Sequence, residues 1–312
     1  QVFVEAAKSL SFARVAERLR LTPAAISFQI KQIETMAGFA LFERRGKKVA
    51  LTDAGQTMLG YARTALQALE DADQSLTAMK GLARGKVTVG LVTTATYFVP
   101  HILARFQAAH PAIAIHLRDG NRQQIIEAIA KGEVDLAVMG QPPDGAEIQA
   151  DAFAPHPSVV VAPPSHPLAA RRAVPARMLD DQPFVIREEG SGTRALADRF
   201  FRSAGLSPRV VMTSSSNEVI KQAVMAGMGL ALLSRHTVGL ELGLGTIATL
   251  AVEGTPLMRS WYVGHRRGMP LLPAHQRLRA FFLEEGRALI DELARGYERL
   301  GARRGRAGRT RG

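Results

Sequence analysis

Two stretches of this 312-residue chain, residues 22–31 and 44–48, carry side chains suited to binding a polyanion. The first stretch is a run of small and hydrogen-bonding side chains. The second contains four cations, Arg44, Arg45, Lys47 and Lys48. Small polar side chains on a helix can approach base edges in the major groove of DNA, and Lys and Arg contact its phosphates. These residues predict recognition of double-stranded DNA.

Three short helices must position the first stretch, because apolar residues recur at helical spacing over residues 2–8, 12–19 and 23–36. Thr22 suits the N-cap of the third helix, and Pro23 suits its first position. The second and third helices are joined by two residues, which predicts a helix-turn-helix motif. Its predicted DNA contacts are Thr22, Pro23, Ala24, Ser27, Phe28, Gln29 and Lys31.

Residues 41–51 predict a hairpin with Gly46 in its turn and the four cations around it. Such a hairpin would act as a basic wing whose predicted phosphate contacts are Arg44, Arg45, Lys47 and Lys48. The alternative is an ordinary three-helix bundle whose charges are only solvated.

One linked series of residues covers this whole segment. It reads Ala16-x-x-Leu19-x-x-Thr22-x-x-x-Ile26-Ser27-x-x-Ile30-x-x-Ile33-Glu34, then Leu41-Phe42-Glu43-Arg44 and Leu51-Thr52-x-x-Gly55. This series resembles the winged helix-turn-helix of LysR-type transcriptional regulators. The family's recognition helix commonly opens Gln-Pro-Ala and has Arg after the Ser, whereas this chain has Pro23-Ala24-Ala25 and Phe28. Ser27, Gln29 and Lys31 are therefore expected to carry more of the DNA contact.

Residues 53–79 predict one long helix, since no Pro interrupts them and Gly is confined to the first turns. Apolar residues alternate along it in steps of four and three, the spacing of a coiled-coil seam. The predicted dimerisation residues are Met58, Ala62, Ala65, Leu69, Ala72, Leu76 and Met79. The alternative is a helix packed on the surface of its own chain. Pairing would present two recognition helices to an interrupted, nearly palindromic site.

Alternating strands and helices follow, which predicts a parallel α/β arrangement in two parts. This body resembles the periplasmic-binding-protein-like effector domain of the same family. The predicted fold is an N-terminal all-α winged helix-turn-helix with a long linker helix, then an α/β effector domain of two Rossmann-like subdomains. The predicted boundaries are 1–56 for the DNA-binding domain, 57–80 for the linker helix, 81–86 for a hinge, 87–162 with 265–300 for effector subdomain I, 163–264 for subdomain II and 301–312 for a disordered basic tail.

Segments rich in Ser, Thr, Gly and Asn follow the predicted strands of the body. Ligands of open α/β sheets bind beyond the carboxyl ends of strands, where helix N-termini offer N–H groups to anions. The predicted effector-binding residues are Thr93, Thr94, Thr96, Asn121, Gln141, Ser191, Thr193, Arg194, Ser215 and Asn217. Each segment alone is equally well explained as the cap of its own helix.

Several runs in the body are similar to regulators of the Calvin cycle, the CbbR type. They are residues 93–100 (TTATYFVP), 120–122 (GNR), 134–140 (VDLAVMG) and 190–194 (GSGTR). The resemblance implies activation of carbon-dioxide-fixation operons in answer to a reversible small anionic effector, either a phosphorylated sugar or acid or NADPH. It also implies promoter DNA, a homodimer or a dimer of dimers, and RNA polymerase as partners, with no membrane and no bound cofactor.

The charge and residue usage agree with this prediction. The net charge of +12 divides into +5 for residues 1–86 (13 Lys/Arg, 8 Asp/Glu), +6 for residues 295–312 (7 Arg, 1 Glu) and +1 for the body. A near-neutral body between basic ends is the layout expected when polyanion contact is confined to the ends. The basic tail is either a solvated segment or an auxiliary nucleic-acid contact.

Catalysis is not predicted. The chain has no Cys, its eight His fit no metal spacing, and neither a P-loop nor a nucleophile elbow is present. No apolar run approaches the length of a membrane span, so a cytoplasmic, nucleoid-associated protein is expected, beginning at a slightly trimmed N-terminus. The alternatives are a LysR-type regulator of another pathway, and an exported two-lobed solute-binding receptor whose basic ends are incidental.

Overall fold

The computed structural model describes residues 1–45, 48–79 and 85–309, which fall into two compact units, Gln1–Lys80 and Gly81–Gly312. Gly46 and Lys47 of the predicted wing, residues 81–84 of the predicted hinge and residues 310–312 of the predicted tail lie outside the described residues. Among the residues that are described, no helix is long and apolar enough to cross a membrane.

The first unit begins with the three predicted helices, α1 (Val2–Ser9), α2 (Phe12–Leu19) and α3 (Pro23–Ala37). The N-cap predicted for α3 is confirmed, since Thr22 Oγ1 accepts a hydrogen bond from the backbone N–H of Ala25 at 3.2 Å. Arg20 ends α2 in the left-handed conformation (φ 54°), which lets α3 begin only three residues later. The helix-turn-helix geometry therefore follows from one tight turn and one side-chain cap.

A two-stranded antiparallel hairpin follows, formed by β1 (Phe42–Arg45) and β2 (Lys48–Leu51). The recognition helix α3 holds this hairpin through one carboxylate. Oε1 of Glu34 accepts hydrogen bonds from the backbone N–H groups of Leu41 (2.8 Å) and Phe42 (3.2 Å). Leu41 is buried in the same small core as α1, α2 and α3. The wing is thus fixed to the helix that it accompanies.

Helix α4 (Asp53–Met79) has the bounds that the sequence predicts. Thr52 begins it, since its Oγ1 accepts from the N–H of Gly55 at 3.0 Å and donates to the carbonyl oxygen of Ala40 at 2.7 Å. Gly55 allows this close packing, because a Cβ built there would lie 2.1 Å from the carbonyl oxygen of Leu41. The first turns of α4 therefore belong to the same small core as the three helices and the hairpin.

The second unit contains nine strands and six α-helices among the described residues. The strands are β3 (Gly85–Val92), β4 (Ile113–Gly120), β5 (Leu136–Met139), β6 (Ile148–Ala162), β7 (Pro183–Arg187), β8 (Arg209–Ser214), β9 (Ala231–Ser234), β10 (Ala248–Thr249) and β11 (Leu257–Arg266). The helices are α5 (Val99–Ala109), α6 (Arg122–Ala130), α7 (Gly192–Ser203), α8 (Asn217–Met225), α9 (Gly239–Leu244) and α10 (Pro273–Arg309).

Two long antiparallel strands, β6 and β11, connect the two halves of this unit. In the first half, β4, β3 and β5 are parallel, and β11 pairs antiparallel with β5. In the second half, β6 pairs with β9 and β10, and β7 is parallel to β8. Each half has its own apolar core, one around Phe98, Phe106 and Trp261 and the other around Phe184 and Phe200. This is the predicted two-subdomain α/β fold.

The crossing strands depart from the predicted boundaries. The sequence predicts a strand only from residue 158, whereas β6 begins at Ile148. The prediction begins too late because β6 contains Pro155 and Pro157, and Pro is uncommon inside strands. The sequence also predicts that a strand at residues 260–264 returns to the first half, although the boundary of 163–264 assigns it to the second, and Trp261 and Val263 of β11 do pack in the core of the first half. The division between the halves therefore runs through both strands.

The C-terminal helix is longer than predicted. The sequence predicts a helix at 273–299 and a disordered tail at 301–312, but the backbone of α10 is helical to Arg309. No Pro follows Pro273, so no residue of the Arg-rich segment removes a helical N–H, and its glycines weaken the helix without ending it before Arg309. Ala274, Leu278, Phe282 and Ile290 of this helix return to the core of the first half, as predicted.

Two glycines of α4 provide a matched pair of substitutions. We expect Gly60→Ala to raise the unfolding free energy of the first unit by roughly 0.5–1 kcal/mol, because a Cβ there meets open space in a helix interior. Gly55→Ala should lower it by about 1–3 kcal/mol, because the added carbon overlaps the Leu41 carbonyl. Hydrogen exchange of peptides from residues 1–79 in the full chain measures both, and two shifts of the same sign would contradict this packing.

Candidate functional site

The outward face of α3 presents most of the predicted DNA contacts. Ile26 and Ile30 are buried against the core of the unit. The predicted contacts that are exposed are Thr22, Pro23, Ala24, Ser27, Phe28 and Lys31. Phe28 is the most unusual of them, because this large apolar side chain is 63% exposed. A face of this composition can approach base edges closely and offers an apolar contact of the kind made with a thymine methyl group.

Gln29 is the exception among these residues. It is half-buried at the edge of the core-facing side of α3, directly before Ile30. The spacing of Ile26, Ile30 and Ile33 predicts this position, since residue 29 lies only about 60° around the helix from residue 26. The expectation that Gln29 takes over much of the base contact therefore has less structural support than Ser27 and Lys31.

The wing brings Arg44 to the surface, where its side chain is exposed. In the antiparallel register of the hairpin, Arg45 of β1 pairs with Lys48 of β2. Lys47, the fourth predicted phosphate contact, lies outside the described residues. The described part of the wing is therefore a short, basic hairpin beside α3.

The predicted seam of α4 divides into two parts. Met58 and Ala62 are half-buried and pack against the core of their own unit, so these two do not form part of an open seam. Ala65, Leu69, Ala72 and Leu76 are exposed, with Leu69 at 69% and Leu76 at 60%. The side chain of Met79 is not among those described. An apolar stripe is thus left uncovered from residue 65 onward.

A cleft of about 650 Å³ lies between the two halves of the second unit. It opens beyond the carboxyl ends of β3, β5 and β7, where the chain turns into helices. Six of the ten predicted effector-binding residues line it: Thr93, Thr94, Asn121, Gln141, Ser191 and Thr193. Asn121 and Ser191 also cap α6 and α7, so the capping explanation holds for two residues that also line the cleft.

The other four predicted residues do not line the cleft. Thr96 donates to the carbonyl oxygen of Thr93 at 2.8 Å. Arg194 forms an ion pair with Asp198 at 2.9 Å. Ser215 is exposed outside the cleft, and the neighbouring Ser216 is the residue that caps α8. Asn217 is buried beneath the cleft, where its Nδ2 donates to the Thr93 carbonyl oxygen at 3.1 Å.

Five arginines line the same cleft, and sequence reasoning missed all of them. They are Arg122, Arg187, Arg199, Arg202 and Arg259. They come from α6, β7, α7 and β11, so no local spacing connects them. Arg122 directly follows the Gly120-Asn121 turn and Arg187 ends β7, which are the strand-end positions that predicted the polar residues. These two were within reach of the same reasoning.

Most of these cations have no anionic partner. Arg187 is buried and pairs with Glu188, and its Nη2 donates to Thr93 Oγ1 at 3.0 Å. No Asp or Glu among the residues that the structure describes pairs with the other four, Arg122, Arg199, Arg202 and Arg259. Burial and the charge of Arg199 lower the pKa of Arg122. Two carboxylates, Asp144 and Asp198, also line the cleft, but Asp198 pairs with Arg194, so the arginines leave an excess of positive charge that favours an anionic ligand.

Arg259 and His156 form the floor of this charged region. Burial, with Arg199 and Arg122 nearby, lowers the pKa of Arg259 to about 10. Its Nη2 donates to Ser158 Oγ (3.3 Å) and lies 3.5 Å from Nε2 of His156. Because a guanidinium is only a donor, Nε2 of His156 must accept, and the imidazole proton is on Nδ1. That Nδ1 is buried with no hydrogen-bond partner among the described residues.

Gly140 leaves the space beside these donors open. A Cβ built at Gly140 would lie 3.8 Å from Nη1 of Arg259 and 3.9 Å from Nδ1 of His156. Burial, with Arg259 nearby, keeps the pKa of His156 well below its usual value, so the ring is neutral and remains a hydrogen-bond donor. The arrangement suits an anion with several acceptor oxygens. The described residues contain no cluster that would hold a metal ion.

The geometry defines a class of protein: a winged helix-turn-helix for DNA and, in a separate unit, a two-lobed cleft for a small anion. Comparison with known families agrees. Residues 1–56 match the bacterial regulatory helix-turn-helix protein, lysR family, and residues 80–287 match the LysR substrate binding domain. The chain belongs to the LysR family of transcriptional regulators.

Individual relatives narrow the comparison. The chain is 44% identical to the transcriptional regulator CfxR of Cupriavidus necator over 91% of its own length and 90% of the relative's. It is 42% identical to the RuBisCO operon transcriptional regulator of Allochromatium vinosum, over 96% and 97%. Among solved structures, the regulatory domain of Synechocystis CcmR in complex with 2-PG is 34% identical, with a TM-score of 0.62 over 64% of this chain and 96% of that one.

Substitutions in the DNA-binding unit separate base reading from phosphate binding. Phe28→Ala should reduce the preference for operator over random DNA roughly tenfold, because it removes an apolar base contact, and leave the salt dependence unchanged. Arg44→Ala should weaken binding to both DNAs and reduce the slope of log K against log salt by about 1.

Gel-shift titrations at several salt concentrations measure both effects. Met36→Ala, an exposed residue at the far end of α3, is the matched control and should change neither. Equal loss of operator and random DNA binding by Phe28→Ala would show that this side chain does not read bases.

Proposed function

We propose that this chain activates genes of carbon dioxide fixation, binding their promoters as a homodimer or a dimer of dimers and responding to a small phosphorylated acid in the cleft of its second unit. The observation that carries the proposal is the set of buried, unpaired donors around Arg259 and His156 in a cleft that five arginines line. The names of relatives such as CfxR and the RuBisCO operon regulator support the choice of pathway.

The lining of the cleft favours a compact anion. Hydroxyl groups of Thr94, Ser191 and Thr193 stand with the arginines, and the N-terminus of α7 adds the positive end of a helix. Apolar surface for a large aromatic base is limited to a few side chains such as Leu196 and Met258. This composition supports a small phosphorylated acid over NADPH. The related CcmR domain was solved with 2-PG, which makes 2-PG the first ligand to test.

A ligand in this cleft can shift the arrangement of the two halves. Asn121, Arg122 and Gln141 belong to the first half, whereas Ser191, Thr193 and Arg199 belong to the second. An anion that contacts both sets binds the closed arrangement more tightly than the open one, and that difference in affinity displaces the equilibrium between them. Effector control of DNA binding is expected to begin with this displacement.

Dimerisation is expected along the exposed part of α4. Ala65, Leu69, Ala72 and Leu76 form an apolar stripe with coiled-coil spacing, and burying such a stripe against a second copy is favourable. Two paired chains would present two recognition helices to the two halves of one operator. Promoter DNA and RNA polymerase are then the expected macromolecular partners, in the cytoplasm and without catalysis.

The cleft yields a prediction for ligand affinity. Arg199→Gln should weaken 2-PG binding about 10- to 100-fold, because it removes a charged hydrogen-bond donor that no carboxylate neutralises. Arg209→Gln, an exposed cation outside the cleft, is the control and should leave the affinity unchanged. Isothermal titration of the full chain measures both.

A DNA-capture experiment tests the proposed pathway. Fragmented genomic DNA of the source organism is captured on the purified chain with and without 2-PG, and fragments upstream of RuBisCO genes should be enriched. Enrichment upstream of other operons would assign a different pathway within the family. Full 2-PG affinity in the Arg199→Gln variant would place the effector elsewhere.

The seam yields a separate prediction for assembly. The double substitution Leu69→Asp with Leu76→Asp should produce a monomer and weaken operator binding by about 100-fold or more, because paired half-site binding is lost. Thr64→Asp, exposed on the same helix outside the seam, should remain a dimer. Sedimentation velocity at micromolar concentration reports the assembly state, and a double variant that still dimerises would contradict pairing through α4.

A further inference from the structure

A second cavity of about 480 Å³ lies in the same unit and shares no lining residue with the effector cleft. It is lined by residues of α9, α10, the middle of β6 and the turn that follows β9, with Phe98. Its wall is mostly apolar and includes Phe98, Pro155, Leu242, Ile290 and Tyr297. Neither the family match nor the proposed function gives it a role.

The cavity offers no net charge to a ligand. The charged side chains at its rim are already paired, since Arg235 lies 3.8 Å from Glu298 and Asp291 lies 3.9 Å from Arg287. A carboxylate or phosphate would therefore lose its hydration there without gaining a free cation, and such desolvation is costly. An uncharged ligand fits this lining.

His236 supplies the cavity with one directed polar group. The indole Nε1–H of Trp261 donates to Nδ1 of His236 at 3.0 Å. Because an indole is only a donor, Nδ1 must accept, and the imidazole proton is on Nε2. Burial lowers the pKa of His236 to about 4, so the ring is neutral at neutral pH. Its Nε2–H has no acceptor among the described residues.

We propose that this cavity is a second small-molecule site, which takes a neutral, ring-shaped apolar compound carrying one hydrogen-bond acceptor oxygen. The apolar wall contacts the ring, and the Nε2–H of His236 donates to the oxygen. The glycines of α9 shape the wall: a Cβ at Gly239 would lie 2.8 Å from the Tyr297 ring, and one at Gly243 would lie 2.4 Å from the Tyr297 carbonyl oxygen.

The second site is linked to the effector cleft by stacked rings. Trp261 is completely buried between them, donates to His236 on one side and stacks on His156 on the other, at 3.7 Å and an interplanar angle of 11°. His156 and Arg259 line the cleft. A ligand that displaces His236 therefore displaces the ring next to the anion site, which predicts coupled affinities. This coupling rests on the proposed function of the cleft, whereas binding at the second site does not.

Trp261 is the only tryptophan of the chain, so its emission reports the second site directly. We expect benzamide to change the emission of the full chain saturably at millimolar concentration. Benzoate, which has the same ring with a charge, should bind at least fivefold more weakly. A change that is linear in benzamide, or equal affinity for the two compounds, would overturn the site.

Variants locate the binding. Ala294→Phe fills the cavity and should abolish the benzamide response, whereas Ala288→Phe, on an exposed face of the same helix, should keep it. His236→Gln retains an acceptor for Trp261 and a donor for the ligand, and should bind benzamide within about threefold of the parent. His236→Phe should lose tenfold or more. Circular dichroism confirms that each variant is folded, and Ala294→Leu replaces Ala294→Phe if that variant is not.

Titration of 2-PG in the presence of benzamide tests the coupling between the two sites separately from the existence of the second site. A changed but not abolished 2-PG affinity supports coupling, and an unchanged affinity removes the coupling while leaving the second site in place. Competitive displacement of benzamide by 2-PG would show that benzamide binds in the cleft and would overturn the second site. If 2-PG does not bind at all, the proposed effector fails while the benzamide response is still measured through Trp261.

Discussion

The half-buried guanidinium of Arg259 is the constraint on which the cleft of the second unit depends. A partly desolvated cation without a carboxylate is costly, and the cost is only partly offset by Ser158, the Gly192 carbonyl and His156. The low pKa of Arg259 reflects the same cost. The anion proposed for the cleft would supply a negative charge close to Arg259, near the Nδ1–H of His156 that has no hydrogen-bond partner among the described residues. Binding of that anion would therefore offset part of the electrostatic cost at Arg259.

The crossing strands β6 and β11 explain how this cost reaches the rest of the unit. They carry His156, Arg259 and Trp261, and each strand contributes to the cores of both halves. A change at Arg259 therefore acts on the connection between the halves rather than on one lobe alone. The Arg187 contact to Thr93 is a second link at the base of the cleft. The backbone N–H of Gln123 in the first half also donates to the carbonyl oxygen of Gly190 in the second at 3.3 Å.

Much of the fold was predictable because it follows from local pattern. The bounds of α4, the cap of α3 by Thr22 and the alternation of strands and helices follow from caps, proline placement and apolar period. The polar half of the cleft was predictable too, since strand ends of an α/β sheet carry ligand contacts. The arginines were not, because Arg199 and Arg259 are 60 residues apart and meet only through tertiary packing. The half-buried position of Gln29 at the edge of the core-facing side of α3 follows from the spacing of Ile26, Ile30 and Ile33, and its contact with DNA stays a prediction.

The two cavities differ in a way that bears on control. The effector cleft is rich in unpaired cations and favours an anion, whereas the second cavity has paired charges at its rim and one neutral donor. One lining residue of each cavity, His156 of the cleft and His236 of the second cavity, contacts the same fully buried ring, Trp261. Because protein interiors are packed closely, a shift of one of these imidazoles is expected to affect the other through that indole. A regulator built in this way can combine a charged signal and a neutral one before either reaches the DNA-binding unit.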